Sequence, residues 1–144
     1  MQEQNLKNHS QIVPAYHYVL FTLLLAIIVF SVINMVTTIK SDGSIIPALM
    51  FVLSAVALLL SAFMLRSFAL KAQDRAIRAE ENLRHFVLTG KLLSSSLSIA
   101  QIVALRFASD AEFVALANRA ATEKLSSKEI KEAIKSWRGD FYRV

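Results

Sequence analysis

Two stretches of the chain carry no charged side chain. Ser10 to Ile39 contains no Asp, Glu, Lys or Arg, and neither does Gly43 to Leu65. Within the first, Val19–Ile39 would extend roughly 31 Å as a helix at about 1.5 Å per residue. That matches a bilayer hydrocarbon core of about 30 Å. In the second, the Leu, Ile, Val and Phe side chains of Ile45–Leu65 favour insertion into lipid by about 4–7 kcal/mol in total. Pro47, Ser54 and Ser61 offset only part of this. A lone segment crosses lipid only as a helix, because only then does it leave no amide unpaired. The pattern predicts transmembrane helices over 14–39 and 45–65. The link between them, "KSDGS" at 40–44, is short and holds an Asp-Gly turn signal. Helices joined that tightly run antiparallel, so the pair is a hairpin.

Beyond Leu65 the residues turn polar, but nothing before Thr89 breaks a helix: Ala, Leu, Arg, Glu, Gln and Lys dominate. The second span is expected to continue as one helix over 66–89, with Gly90 as its C-cap residue. Pairs at i,i+4, Asp74–Arg78 and Glu80–Arg84, support its polar face, as does Lys71–Asp74 at i,i+3. Leu65, Ala69, Ala72, Ala76, Ala79, Leu83 and Phe86 recur at alternating spacings of 4 and 3, which is the seam of a coiled coil. The seam is thin, since four of its seven members are Ala. It suits either self-association or packing against the chain's own C-terminal segment. In the spans, Asn34, Ser54, Ala57 and Ser61 are candidates for helix–helix packing and hydrogen bonds.

After a linker at 90–97 the pattern becomes that of soluble helices. Ser98–Gln101, Ser109–Glu112 and Ser126–Glu129 each have the offset of a capping box. They predict helices near 99–107, 110–124 and 127–138. Ile102, Val103, Leu105, Phe107, Phe113, Leu116, Ile130, Ile134 and Trp137 form the expected core of this segment, 98–144. On the last helix, Lys128, Lys131, Lys135 and Arg138 would make a basic stripe able to meet anionic lipid or nucleic acid. Residues 126–144 hold only two more basic than acidic groups, so a solvated face is the favoured reading and nucleic acid the least favoured.

Charge sets the topology. Lys7 and fourteen Lys/Arg after residue 65 stand on one side of the hairpin, and only Lys40 lies in the turn. The positive-inside bias then places the N-terminal segment, 1–13, and the C-terminus in the cytoplasm. Tyr16 and Tyr18 fit the same interface as ring anchors. A cleaved signal sequence would need a shorter apolar stretch and a small-x-small site, which "SVINMVTTIK" lacks. The 55% apolar composition agrees with a membrane chain. With no Cys there is no disulfide framework and no thiolate metal site.

Catalytic and transport chemistry is sparse. Neither span contains Asp, Glu, Lys or Arg, which a proton or ion path normally needs. His9, His17 and His85 have no carboxylate in register for a metal site. There is no phosphate-binding loop, dinucleotide turn, HExxH or nucleophile elbow. The expectation is a chain with no catalytic residue, cofactor, metal or small-molecule substrate.

Four stretches, "KNHSQIVPAYHYVLF", "RSFALKAQDRAIRAEENLR", "ALRFASDAEF" and "IKEAIKSWRGDFYRV", resemble an uncharacterised family of small bacterial two-span membrane proteins. The resemblance implies a bacterial inner-membrane location and an all-α architecture of hairpin, helical extension and three terminal helices. It transfers no activity. The expected role is a non-enzymatic anchor or adaptor that docks a protein partner or a second copy. Arg106, Phe107, Asp110, Phe113, Trp137, Arg138, Phe141 and Tyr142 are the candidate docking residues, because Arg and aromatics are enriched at contact centres. An accessory transporter subunit and a lipid or nucleic-acid contact through the basic stripe are the alternatives.

Overall fold

The apolar runs and the capped segments both fold as helix, and the chain is all-α. The computed structural model describes residues 4–142. A short π-helical segment, Ala15–Leu20, leads into α1 (Phe21–Lys40). Then follow α2 (Ile45–Thr89), α3 (Ile99–Leu105), α4 (Asp110–Glu123) and α5 (Ser127–Ala133). Among the described residues there is no strand, only one isolated bridge between Ala108 and Trp137. The chain divides into two units, Ile12–Ala69 and a second made of the N-terminal residues to Gln11 with the chain from Leu70 onward. Helix α2 belongs to both and is helical throughout.

The first unit is the helical hairpin. Its contacts pair Tyr16 with Ala62, Phe21 with Phe63 and Ser31 with Phe51, so the two helices run antiparallel. Small side chains mark the inner face: Ala48, Ala55 and Ala62 of α2 are buried at seven-residue intervals, and Leu24 and Ser31 are the buried residues of α1. Small residues let two backbones come close and gain dispersion contacts. Ser31 Oγ donates to Ile27 O at 2.6 Å and reaches Phe51 O at 3.5 Å. The expected packing residues Asn34, Ser54, Ala57 and Ser61 lie on the exposed outer faces instead. The seven-residue Ala register, rather than the Ala57–Ser61 pair, sets which face of α2 is inside.

The hairpin is closed at both ends. At the turn the left-handed residue is Asp42 (φ 50°), not the glycine. Its short polar side chain tolerates that conformation. Gly43 serves space instead: a Cβ there would stand 3.3 Å from Thr38 Cγ2, with the Gly43 N–H already donating to Thr38 O at 3.1 Å. Pro47 sits in the first turn of α2, where no intrahelical donor is lost. At the other end the Tyr16 hydroxyl donates to Ala62 O at 2.9 Å and Arg66 lies over the Tyr16 ring at 5.5 Å.

The second unit packs α3 against α4 and α5, with the distal half of α2 alongside. Its core holds Phe107, Phe113, Leu105 and Ile130, all fully buried. Ile102, Leu116 and Ile134 join them as expected, while Val103 and Trp137 are half-buried. Helix α2 stops where Gly90 takes φ 73° and its N–H bonds to Phe86 O at 2.7 Å. The linker at 90–97 folds back: Leu93 and Leu97 are buried, Asn82 Oδ1 accepts from Leu93 N, and His85 Nδ1 lies 2.7 Å from Lys91 O.

Two of the three expected capping boxes form, at Ser98–Gln101 and Ser126–Glu129. The third does not. Ser109 has N-cap backbone geometry but its side chain makes no cap bond. Glu112 instead accepts from Lys135 N at 3.1 Å and Ser136 N at 3.0 Å. That carboxylate takes two amides that a continued α5 would have bonded to its own carbonyls. The last helix therefore ends at Ala133, short of the expected 138, and Ile134 is extended. Residues beyond it pair with the α3–α4 connection, Ser109 N to Ser136 O at 3.1 Å and Arg138 N to Phe107 O at 2.7 Å.

Two outcomes follow. Phe113→Ala empties a fully buried site and costs about 3–5 kcal/mol; limited proteolysis should then cut within 90–142 at much lower protease concentration while the hairpin stays intact. The Glu129 carboxyl is held below its ordinary pKa, chiefly by the Ser126 backbone N–H, then by the Ser126 hydroxyl, with Arg119 adding. A depressed carboxylate stabilises above its unfolded pKa and loses that contribution as pH falls through the folded value. A side-chain NMR titration should place Glu129 below an ordinary glutamate, and Ser126→Ala should raise it only part of the way, since the amide donor remains.

Candidate functional site

Ionic side chains gather where the distal half of α2 meets the C-terminal helices. Positions 77, 81, 84 and 85 fall on one face of α2, three to four residues apart. This face carries Ile77, Glu81, Arg84 and His85, and Ile77, Glu81 and His85 are buried. The charged contacts on it are therefore made largely out of water.

Arg84 is the centre of the cluster. Its Nη1 donates to Glu81 Oε2 at 3.0 Å, its Nε to Asp110 Oδ1 at 2.7 Å and its Nη2 to Ala108 O at 2.7 Å. The guanidinium plane lies 4.2 Å from the Phe113 ring centroid. A planar fork of donors suits this arrangement, and lysine could not reproduce it. Asp110 opens α4, where a carboxylate also meets the positive end of the helix dipole. The expected partner of Arg84 was Glu80. The structure uses Glu81, because the i,i+3 partner is the one on the buried face, and Glu80 is left exposed.

Further charges extend the cluster. Arg106 Nε is 2.8 Å from Asp140 Oδ2 and its guanidinium lies 4.5 Å over Phe107. Arg138 Nη1 stands 3.8 Å from Glu81 Oε1, a looser contact, with the Arg138 side chain 56% exposed. Between these groups and α2 is an open cavity of about 290 Å³, bordered by Ala76, Glu80 and Glu81 of α2 and by Arg106, Arg138 and Tyr142. The N-terminal residues are tied to the same unit. Asp140 N donates to Gln4 Oε1 at 2.8 Å and Gln4 Nε2 donates to Asp140 O at 3.2 Å. His9 Nε2 is 3.0 Å from Lys131 Nζ, and its ring packs edge-on to Phe107 and beside Trp137.

The expected docking set divides. Arg106, Phe107 and Phe113 are interior and build the core. Asp110 is exposed but engaged by Arg84. Trp137 is half-buried in the bridge to Ala108, while Arg138, Phe141 and Tyr142 are exposed. Of the α2 seam, Ala72, Ala76, Ala79, Leu83 and Phe86 are exposed, as is Leu65, and Ala69 is half-buried. The C-terminal segment contacts the Glu81 face, and of the seam Ala76 borders the cavity that Arg138 and Tyr142 line. The basic stripe does not form. Lys128 pairs with Glu132 at 3.8 Å on α5, Lys131 meets His9, and Lys135 and Arg138 lie beyond the helix on the extended segment.

Glu81, Arg84, Glu112, Asp140, Gln4 and His9 hold the unit together; sequence assigned Arg84, Glu112 and His9 other roles and did not single out Glu81, Asp140 or Gln4. Among the described residues no group of three or more His, Cys, Asp or Glu is arranged to hold a metal ion. The donors of Arg84 are engaged in three directions, so the cluster works as a clamp. The family model for a family of unknown function, DUF6526, matches residues 1–144. The chain belongs to this family. No curated protein and no solved structure matches it. Membership of DUF6526 covers the clamp, the hairpin and the N-terminal residues alike.

Arg84→Met leaves the Glu81 carboxylate buried without its main partner, which should cost about 3–5 kcal/mol. The double variant Glu81→Leu/Arg84→Met removes both charges and should recover most of that loss. Urea unfolding followed by Trp137 fluorescence measures both, and a double variant as unstable as the sum of the singles would contradict the clamp.

Proposed function

We propose that this protein is a non-enzymatic anchor of a bacterial cytoplasmic membrane, with α1 and α2 crossing the bilayer and both termini in the cytoplasm. Two helices are long and apolar enough to cross a membrane. The observation that carries the reading is where their large side chains point. Only 11% and 17% of the residues in their most apolar stretches are buried. Leu25, Phe30, Ile46 and Met50 are each more than half exposed. In water so continuous an apolar surface would be aggregation-prone; in lipid it is the stable arrangement. The charges favour the same orientation, since Arg66 and Lys71 follow the second span directly.

The folded second unit is then the part that meets a protein partner. Its buried charges are occupied with holding helices together. Arg138, Phe141 and Tyr142 form the exposed end of the chain that combines a cation with two aromatic rings, a composition enriched at contact centres. A second reading has one observation in its favour. Asn34, Ser54 and Ser61 are polar and outward-facing on the spans, which suits contact with the helices of a transporter that this chain assists.

The chain has no cysteine, so single introduced thiols report topology cleanly. Ser44→Cys should react with an impermeant maleimide from outside intact cells, and Ala111→Cys only after lysis; the reverse would refute the orientation. A photo-crosslinker at Tyr142 should capture one protein partner in native membranes, lost in Arg138→Glu/Phe141→Ala. Capture unaffected by those changes, or none at all, would contradict docking there. Leucine at 34, 54 and 61 should leave transport unchanged under the anchor reading and alter it under the second.

A further inference from the structure

The distal half of α2 has two opposite faces. In heptad terms Ala76 and Leu83 take one seam position, with Ala72, Ala79 and Phe86 at the other. At about 100° per residue, the centre of that seam lies roughly opposite the Ile77, Glu81 and Arg84 face that the C-terminal helices cover. The bundle leaves Ala72, Ala79, Leu83 and Phe86 of the seam exposed, while Ala76 and the flanking Glu80 border the cavity that Arg138 and Tyr142 line. Large apolar groups stand on it or at its edge: Leu83 is 63% exposed, Phe86 50% and Val87 75%. Such a row of side chains on a helix of this length calls for an occupant.

The flanking charges say which occupant. Arg75 and Glu80 occupy the two positions bordering the seam, five residues apart. Both are exposed, and among the described residues neither enters an ion pair within the chain. In a parallel in-register pair of helices, that spacing sets Arg75 of each copy against Glu80 of the other, and the two-fold axis repeats the attraction. An antiparallel pair sets like positions against each other and loses both contacts. We propose that this face is the seam of a parallel two-stranded coiled coil whose occupant is a second copy of this chain. The inference rests on the membrane-anchored reading, because two copies inserted the same way present α2 in parallel. The alanines allow close approach, and Leu83, Phe86 and Val87 supply most of the apolar area.

The test uses the full chain in native membranes, oxidised after single cysteines are introduced. In a parallel pair each seam residue meets itself, so Ala72→Cys, Ala79→Cys and Phe86→Cys should all give disulfide-linked homodimers, and Arg78→Cys far less. Arg75→Glu and Glu80→Arg should each weaken the dimer about tenfold, and the combined charge swap should restore it. Crosslinking at one seam position alone marks an antiparallel crossing and overturns the proposal, as does failure of the swap to restore. Monomers at every position, in chains that resist carbonate extraction, overturn the dimer and leave the anchor standing. Chains that wash off the membrane refute both.

Discussion

The structure depends on one continuous ladder of backbone hydrogen bonds, the helix Ile45–Thr89. Every amide in a helix interior is satisfied by the helix itself, whatever surrounds it. That property lets one segment take part in two units without a loop. Up to Ala62 its inward positions are alanines packed against α1; by Ile77 they are a mixed apolar and ionic face packed against a small helical bundle. A glycine, a proline or a run of β-branched residues near Arg66 would have favoured two shorter helices, and none is present.

The second unit shows how a small bundle is stabilised when its core is modest. Phe107 and Phe113 fill the centre, but much of the remaining specificity is polar. Arg84 joins α2 to the first turn of α4 and to the Ala108 carbonyl, and Glu112 joins α4 to the extended segment after α5. Each contact spans more than 20 residues of sequence, so each restricts topology as well as adding energy. The N-terminal residues contribute through Gln4 and His9, which makes the unit discontinuous in sequence.

Hydropathy and the absence of helix breakers made the two apolar helices, their antiparallel turn and the length of α2 legible, because those features depend on one residue type at a time. Capping boxes located the starts of α3 and α5 for the same local reason. What sequence could not show was competition between local and distant partners. Glu112 sits at a capping offset from Ser109, yet two amides near residue 135 claim it, and α5 is shortened as a result. Glu80 and Glu81 are equally plausible partners for Arg84 until the buried face is known. Phe107 and Phe113 look the same as core or as docking aromatics when helices are this short. The heptad seam was visible, but only the fold shows that the bundle takes the opposite face.

The most direct test of the central claim is the backbone of α2 where its surroundings change. Backbone NMR of the full chain in lipid nanodiscs would report Cα shifts and amide exchange from Leu65 to Leu83. The account predicts helical shifts at every residue of that stretch, with no interval of fast-exchanging amides. A run of coil-like shifts around Arg66 would mean two helices joined by a hinge, and would contradict it.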